Sequence, residues 1–344
     1  MSIEFRIKLR NMPGMFLTLL IIIVCAALCW FICGKVRMRL LSAAILDNPN
    51  ERSLHSAPVP RGGGIAIWLT VFPIWIICDL IAGLFFTHIF LMIGTGALIL
   101  ISWLDDKKSL SARQRIMVHM LAVVCGLIAL PQDHSVFQGF FPLWLDRIVA
   151  GIAWLWFINL TNFMDGIDGI SGAQTAHVSL GFILITLLAS TIPPDFIIAA
   201  AMAGAAFGFL IWNWHPAKLF LGDVGSIPLG YLLGYLMMVL AISGYLGIAL
   251  TLPLYYVADA SITLIRRIIE KKKFWQAHRE HFYQQAALAI GNHAAVMRPI
   301  IITNLGLLII AIASLYLGEW ALLAAPLLVL GLLCYLKRLS KTER

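Results

Sequence analysis

The chain has 344 residues, of which 61% are hydrophobic and 12% charged, with a mean hydropathy of +0.90. Soluble domains are about half apolar and about one quarter charged, so this composition excludes a soluble globular domain, a disordered chain and a disulfide-stapled secreted module. The formal net charge is +8, but the basic residues sit between apolar runs, where membrane topology accounts for them and no nucleic-acid partner is implied.

The apolar runs predict an all-α polytopic integral membrane protein with about 11 transmembrane helices. Strand alternation of the outer-membrane-barrel kind is absent. In chain order the helices are expected at roughly 15–33, 63–82, 85–104, 116–131, 148–164, 170–190, 195–212, 226–243, 245–265, 298–317 and 319–336. Tight turns are expected near Asp79–Gly83 and at Ser243–Gly244. The first run lacks a small-residue cleavage site and is read as a retained helix. The six cysteines form no CxxC pair and no zinc spacing, so they read as small apolar packing residues. Residues 1–344 read as one transmembrane domain, with the motif-bearing part at about 47–293.

Eleven spans place the termini on opposite sides. Of the 25 Lys and Arg residues, 21 then fall on one side, which the positive-inside rule makes cytoplasmic. The cluster Arg6, Lys8 and Arg10 argues the other way for the first helix. Five polar segments, 47–64, 105–115, 159–169, 213–226 and 278–293, all fall at cytoplasmic helix ends. Segments distant in sequence are therefore expected to converge on one face.

Asp105 and Asp106 close the third helix. Adjacent helical residues point about 100° apart, so the two carboxylates are expected to differ in role. Asn159, Asn162, Asp165 and Asp168 recur every three residues at the end of a very apolar run, and polar groups at that depth mark functional sites. Asp223 lies between Gly222 and Val224–Gly225, with an unobstructed carboxylate. Asp259 reads as a structural pairing within the bundle. Clustered carboxylates need a cation, and Mg²⁺ or Mn²⁺ suits hard oxygen donors. Each motif taken singly has a plainer explanation as a helix end, a cap or a turn.

The loop Arg52–Gly64 carries Arg52, His55, Arg61 and three glycines, whose N–H groups at the start of the second helix are expected to favour an anion. His278, Arg279 and His281 lie in the longest cytoplasmic loop and suit a diphosphate. His119 and His177 sit in apolar helices and read as packing residues.

Taken together, these residues resemble the polyprenyl-phosphate N-acetylhexosamine-1-phosphate transferase family. The matching segments are RSLHSAPVPRGGG (52–64), Asp105–Asp106, NLTNFMDGIDG (159–169), Asn213–Ser226 and HREHFYQ (278–284), in the family's order. The resemblance implies a cytoplasmic-face active site, Mg²⁺ dependence, and undecaprenyl phosphate and a UDP-N-acetylhexosamine as substrates. It implies a multi-pass protein of the bacterial inner membrane among membrane lipids, with a homodimer as a candidate assembly and the C-terminus cytoplasmic. By position, Asp105 looks like the carboxylate that deprotonates or orients the lipid phosphate, with Asp106 beside it. Asp165 and Asp168 look like the second acidic pair, and Asp223 like the principal metal ligand. Asn213 and Phe220 resemble the nucleotide-site asparagine and the aromatic that stacks on uracil. Asn159, Asn162, Arg61, His278, Arg279 and His281 complete the expected substrate contacts. HRxHxYQ departs from the consecutive histidines of the peptidoglycan branch and looks like the O-antigen-initiating branch. An intramembrane prenyltransferase is the enzymatic rival, but its aspartates normally stand four apart, against three for Asp165 and Asp168. A secondary transporter would show repeated halves and midplane charges, and the sequence has neither.

Overall fold

The computed structural model describes residues 3–47, 58–108, 110–191, 193–273 and 278–341, with side chains from residue 14 onward except at 107 and 108. Arg52 and His55 lie outside the described residues. The apolar runs fold as helices: α1 (Ile3–Ser42), α2 (Gly64–Ala82), α3 (Phe85–Lys108), α4 (Ala112–Ala129), α5 (Leu143–Phe163), α6 (Ile170–Leu188), α7 (Phe196–Asn213) and α8 (Asp223–Leu240). They continue as α9 (Leu246–Thr251), α10 (Leu254–Ile269), α11 (Phe282–Ile290), α12 (His293–Leu317) and α13 (Ala324–Leu339). Two residue pairs, β1 (Leu46–Asp47) and β2 (Val59–Pro60), form a small antiparallel ladder after α1.

Among the described residues, ten helices are long and apolar enough to cross a membrane, one fewer than the eleven segments expected. The difference lies after α8. The stretch Asp223–Thr251 counts as one of the ten although the turn Ala241–Tyr245, between α8 and α9, is broken at Gly244. Within that turn Gly244 takes φ 95°, which only glycine adopts without strain, and the chain reverses there. Leu252 then accepts a hydrogen bond from His177 Nε2 at 2.9 Å, only seven residues into α6. The chain is thus returning toward the end where α6 begins. Pro253 lacks an N–H and breaks the expected ninth span into α9 and α10. The turn at Gly83 between α2 and α3 is present as expected.

α6 and α7 form the centre: 72% of each is buried, against 22% for α4, whose outer residues face lipid. α1 packs along α7 through Cys25 and Cys29, which meet Gly204 and Gly208. The cysteines are free and serve as small packing groups. At the end remote from the acidic motifs, buried His88 joins Asp79 at 2.7 Å and Asp195 at 3.4 Å, tying α2 and α3 to the start of α7. Asp146 there holds the 131–147 connection by accepting from Val136 N, Phe137 N and Ser135 Oγ.

α1, α4, α5, α8 and α12 begin earlier than the apolar runs suggest, and at α4 and α12 a side-chain cap sets the start. Ser111 Oγ accepts from Gln114 N in a capping box at α4, and Asn292 caps α12 through Ala295 N. The segment 282–290, read as loop, is the short helix α11.

Candidate active site

The helix ends carrying the polar motifs meet at one end of the bundle. The Pro60–Gly64 segment runs beside Phe220–Leu221, 160 residues later. Phe220 N donates to Pro60 O at 2.8 Å, while Gly62 N and Gly63 N donate to Phe220 O and Gly64 N to Leu221 O. This corrects the expectation for the three glycines: their N–H groups are committed to main chain and do not form an anion cradle. Gly64 is required for a different reason. A Cβ there would lie 2.3 Å from Gly225 Cα, so the starts of α2 and α8 touch through backbone.

That contact delivers Arg61 to the carboxylates. Its Nη2 donates to Asp223 Oδ1 at 2.6 Å and lies 3.5 Å from Asp106 Oδ1. Burial works against its charge, but Asp223, Asp106, Asp47 and Asp165 outweigh burial and hold the guanidinium protonated. Asp165 is the fourth member of this group. Burial pushes its carboxyl up to about 6, Ser171 and Arg61 pull it down, and Asp223 adds to the rise.

Asp105 faces elsewhere, as the 100° helical offset requires. Its Oδ2 accepts from Arg115 Nη1 at 2.9 Å and its Oδ1 from Leu110 N at 2.6 Å. Asp168 also stands apart from Arg61. Its Oδ2 meets His215 Nδ1 at 2.7 Å and Ala217 N at 3.1 Å, and its Oδ1 lies 3.2 Å from His293 Nδ1. Burial raises this carboxyl, but His293, His215 and the Ala217 N–H outweigh it and hold it below the usual carboxylate range. The ligand atoms of Asp168, His215 and His293 lie within 4.8 Å of one another, a spacing that admits a metal ion. As found, the carboxylate is satisfied by hydrogen bonds, and the trio ties the α5–α6 and α7–α8 connections to the start of α12.

The asparagines are similarly engaged. Asn213, buried, accepts from Gly169 N and donates to Leu219 O, both at 2.9 Å, so it holds the two connections together. Asn162 Oδ1 accepts from Ser226 Oγ at 2.7 Å, and Asn159 Nδ2 donates back to Leu155 O within its own helix. Phe220 is half-buried beside Arg61.

The histidine loop packs onto the end of α5. Tyr283 OH donates to Phe163 O at 2.9 Å, and a Cβ on Gly166 would lie 2.3 Å from that hydroxyl, so α11 sits directly on the Asp165 turn. His278 and His281 rings pack 5.0 Å apart. Burial, His281 and Arg267 push His278 down to about 4, so at neutral pH it offers hydrogen bonds and not positive charge. Arg279 is half-buried in the same turn. Glu280 clamps the loop by pairing with Arg267 and with Lys272 at 3.1 Å.

His215, His293 and Arg115 were not singled out from sequence. His215 lies inside a quoted motif, and His293 follows the Asn292 cap, so both carried a local signal. Arg115 carried only its distance of ten residues from Asp105. His177 packs as expected, its Nε2 bonded to Leu252 O. Two apolar grooves run along the bundle, one of them starting beside the site. One of about 540 Å³ begins at Val224 and Ile65 and runs between Trp68, Phe72, Ile99 and Trp103. The other, about 350 Å³, lies between α5, α8 and the α9–α10 break.

Apolar helices that bring oxygen donors and one arginine together at a bundle end define a membrane-embedded enzyme acting on anionic substrates. The model of glycosyl transferase family 4 matches residues 88–241. The phospho-N-acetylmuramoyl-pentapeptide-transferase of Chlamydia pneumoniae is 30% identical over 264 residues, covering 67% of this chain and 74% of that protein. The probable undecaprenyl-phosphate N-acetylglucosaminyl 1-phosphate transferase of Bacillus subtilis is 26% identical over 273 residues, 73% and 72% of the two chains. The undecaprenyl-phosphate alpha-N-acetylglucosaminyl 1-phosphate transferase of Thermotoga maritima is 26% identical over 269 residues, 78% and 81%. The chain belongs to glycosyl transferase family 4 and is a multi-pass sugar-phosphate transferase.

Proposed function

We propose that the protein transfers an N-acetylhexosamine-1-phosphate from a UDP-sugar to undecaprenyl phosphate at the cytoplasmic face of the bacterial inner membrane. The product, a lipid diphosphate sugar, starts O-antigen or a related envelope polysaccharide. The observation that carries this reading is Arg61 lying between Asp106 and Asp223 at the end of an apolar bundle. One cation balancing two carboxylates marks a place where positive charge and hard oxygen donors are both available to phosphate.

A phosphate oxygen of the lipid attacks the β-phosphorus of the UDP-sugar. The new P–O bond forms as the bond to the UMP oxygen breaks, and UMP leaves. The lipid phosphate has a second pKa of about 6 and is largely ionised at neutral pH, so a strong general base is not required. Asp223, with Asp106 beside it, would hold Mg²⁺, and the donor set of carboxylate oxygens fits that ion. When bound, the ion neutralises diphosphate charge. Arg61 binds the same anionic groups, and such transfers rest mostly on positioning and charge stabilisation. The acceptor's apolar chain has a groove available that begins at Val224, beside Asp223. The HRxH pattern of His278, Arg279 and His281 supports an O-antigen-type sugar over UDP-MurNAc-pentapeptide.

Exchange of radiolabelled UMP tests the reading. With purified protein, Mg²⁺, undecaprenyl phosphate and UDP-GlcNAc or UDP-FucNAc, label enters the UDP-sugar only when lipid is present. Lipid-independent label, or none with any UDP-N-acetylhexosamine, removes it.

A further inference from the structure

The helix that carries the histidine loop begins at His281, which offers a ring where a helix start normally has Ser, Thr, Asp or Asn. Gln284 Oε1 accepts from His281 N at 3.4 Å, and further acceptors for the first turn arrive from another element. Asp259 on α10, fully buried, accepts from Phe282 N at 3.0 Å and from Tyr283 N at 3.3 Å. The same carboxylate stands 3.3 Å from Nδ1 of His281, itself 2% exposed. Tyr255 OH at 3.3 Å and Thr263 Oγ1 at 3.5 Å complete its surroundings. A carboxylate beside a ring nitrogen fixes the orientation of the ring, and a proton on Nδ1 would leave Nε2 free to work. Cap and ring orientation thus depend on one side chain, 22 residues before His281.

We propose that Asp259 is a positioning residue for the transfer reaction and acts through His281. It anchors the first turn of α11 on the Asp165 turn and fixes the His281 ring in one orientation. The inference rests on His281 being a working residue of the transferase site. Asp259 is too enclosed to meet substrate itself, and Tyr283, held by the same carboxylate, carries the link onward to Phe163 O. A residue serving only the fold would cap α11 equally well without touching the histidine.

A double-mutant cycle tests this, with UMP exchange and the thermal midpoint in detergent as readouts. Asp259→Asn keeps an oxygen for Phe282 N but cannot hold the ring in the same way. We expect His281→Ala to lower kcat about a hundredfold and Asp259→Asn at least tenfold, with KM for the UDP-sugar changed less than threefold. The double variant should fall within twofold of His281→Ala alone. Multiplying losses, or a matching fall in thermal midpoint and kcat, would assign Asp259 to the fold and overturn the proposal. Wild-type turnover in His281→Ala would instead remove His281 from the site, a separate failure. If Asp259→Asn does not yield folded protein, Asp259→Glu carries the cycle, and failure of both to fold also overturns the proposal.

Discussion

Arg61 Nη2 lies 2.6 Å from Asp223 Oδ1, joining a loop before α2 to the first residue of α8 across 162 positions. The pair is partly exposed, so its importance lies in charge balance at the site more than in net stability. In this arrangement the guanidinium occupies ground that the proposed divalent cation would share.

Removing Arg61 therefore separates metal binding from turnover. Arg61→Ala leaves Asp106 and Asp223 unbalanced. We expect Mn²⁺, followed by electron paramagnetic resonance, to bind about tenfold more tightly, ~1.4 kcal/mol, while UMP exchange falls at least tenfold. Weaker metal binding in this variant would show that Arg61 supports the cation instead of competing with it.

Asp223→Asn is expected to fold, with an unchanged elution profile in detergent, and to lose both activity and metal dependence. Asn retains an oxygen for Arg61 but not the charge that a hard cation needs. Wild-type turnover in this variant would remove Asp223 from the metal site.

Gly64→Ala addresses the contact that delivers Arg61. The added methyl would meet Gly225 main chain at 2.3 Å, and backbone cannot yield as a flexible side chain does. Overpacking of this kind costs about 1–3 kcal/mol. The thermal midpoint should fall and exchange activity should fall further, because α2 and α8 are pushed apart at the site.

The Asp168 trio gives a pH signature. Its carboxyl is held below the usual range in the folded protein, so it adds stability above its unfolded value near 4 and loses that contribution as pH falls through the lower folded value. Asp168→Asn should therefore melt below wild type at pH 7, and the gap should narrow as pH drops below about 4. A gap independent of pH would mean that the carboxylate's charge is not what His215 and His293 stabilise.

The spans were legible because lipid forces long apolar runs into helices. Helix starts were less so: Ser111 and Asn292 set two of them by capping, ahead of the apolar residues. Pro253 was visible, but the hydropathy of its neighbours concealed the break it makes. The convergence of Arg61, Asp106, Asp165 and Asp223 was expected from the common side of their helix ends. Their division of labour was not. Nothing local shows that Phe220 takes the glycine N–H groups, that Arg115 engages Asp105, or that Asp168 turns to two histidines. Such pairings depend on register between distant segments, which one sequence does not display.

Product analysis by mass spectrometry tests most directly the proposed movement of a sugar phosphate from nucleotide to lipid at the Arg61–Asp106–Asp223 group. With undecaprenyl phosphate and the accepted UDP-sugar, the account predicts UMP and a lipid diphosphate sugar in equal amounts, both absent with Asp223→Asn. UMP without a lipid product, or release of pyrophosphate, would contradict it.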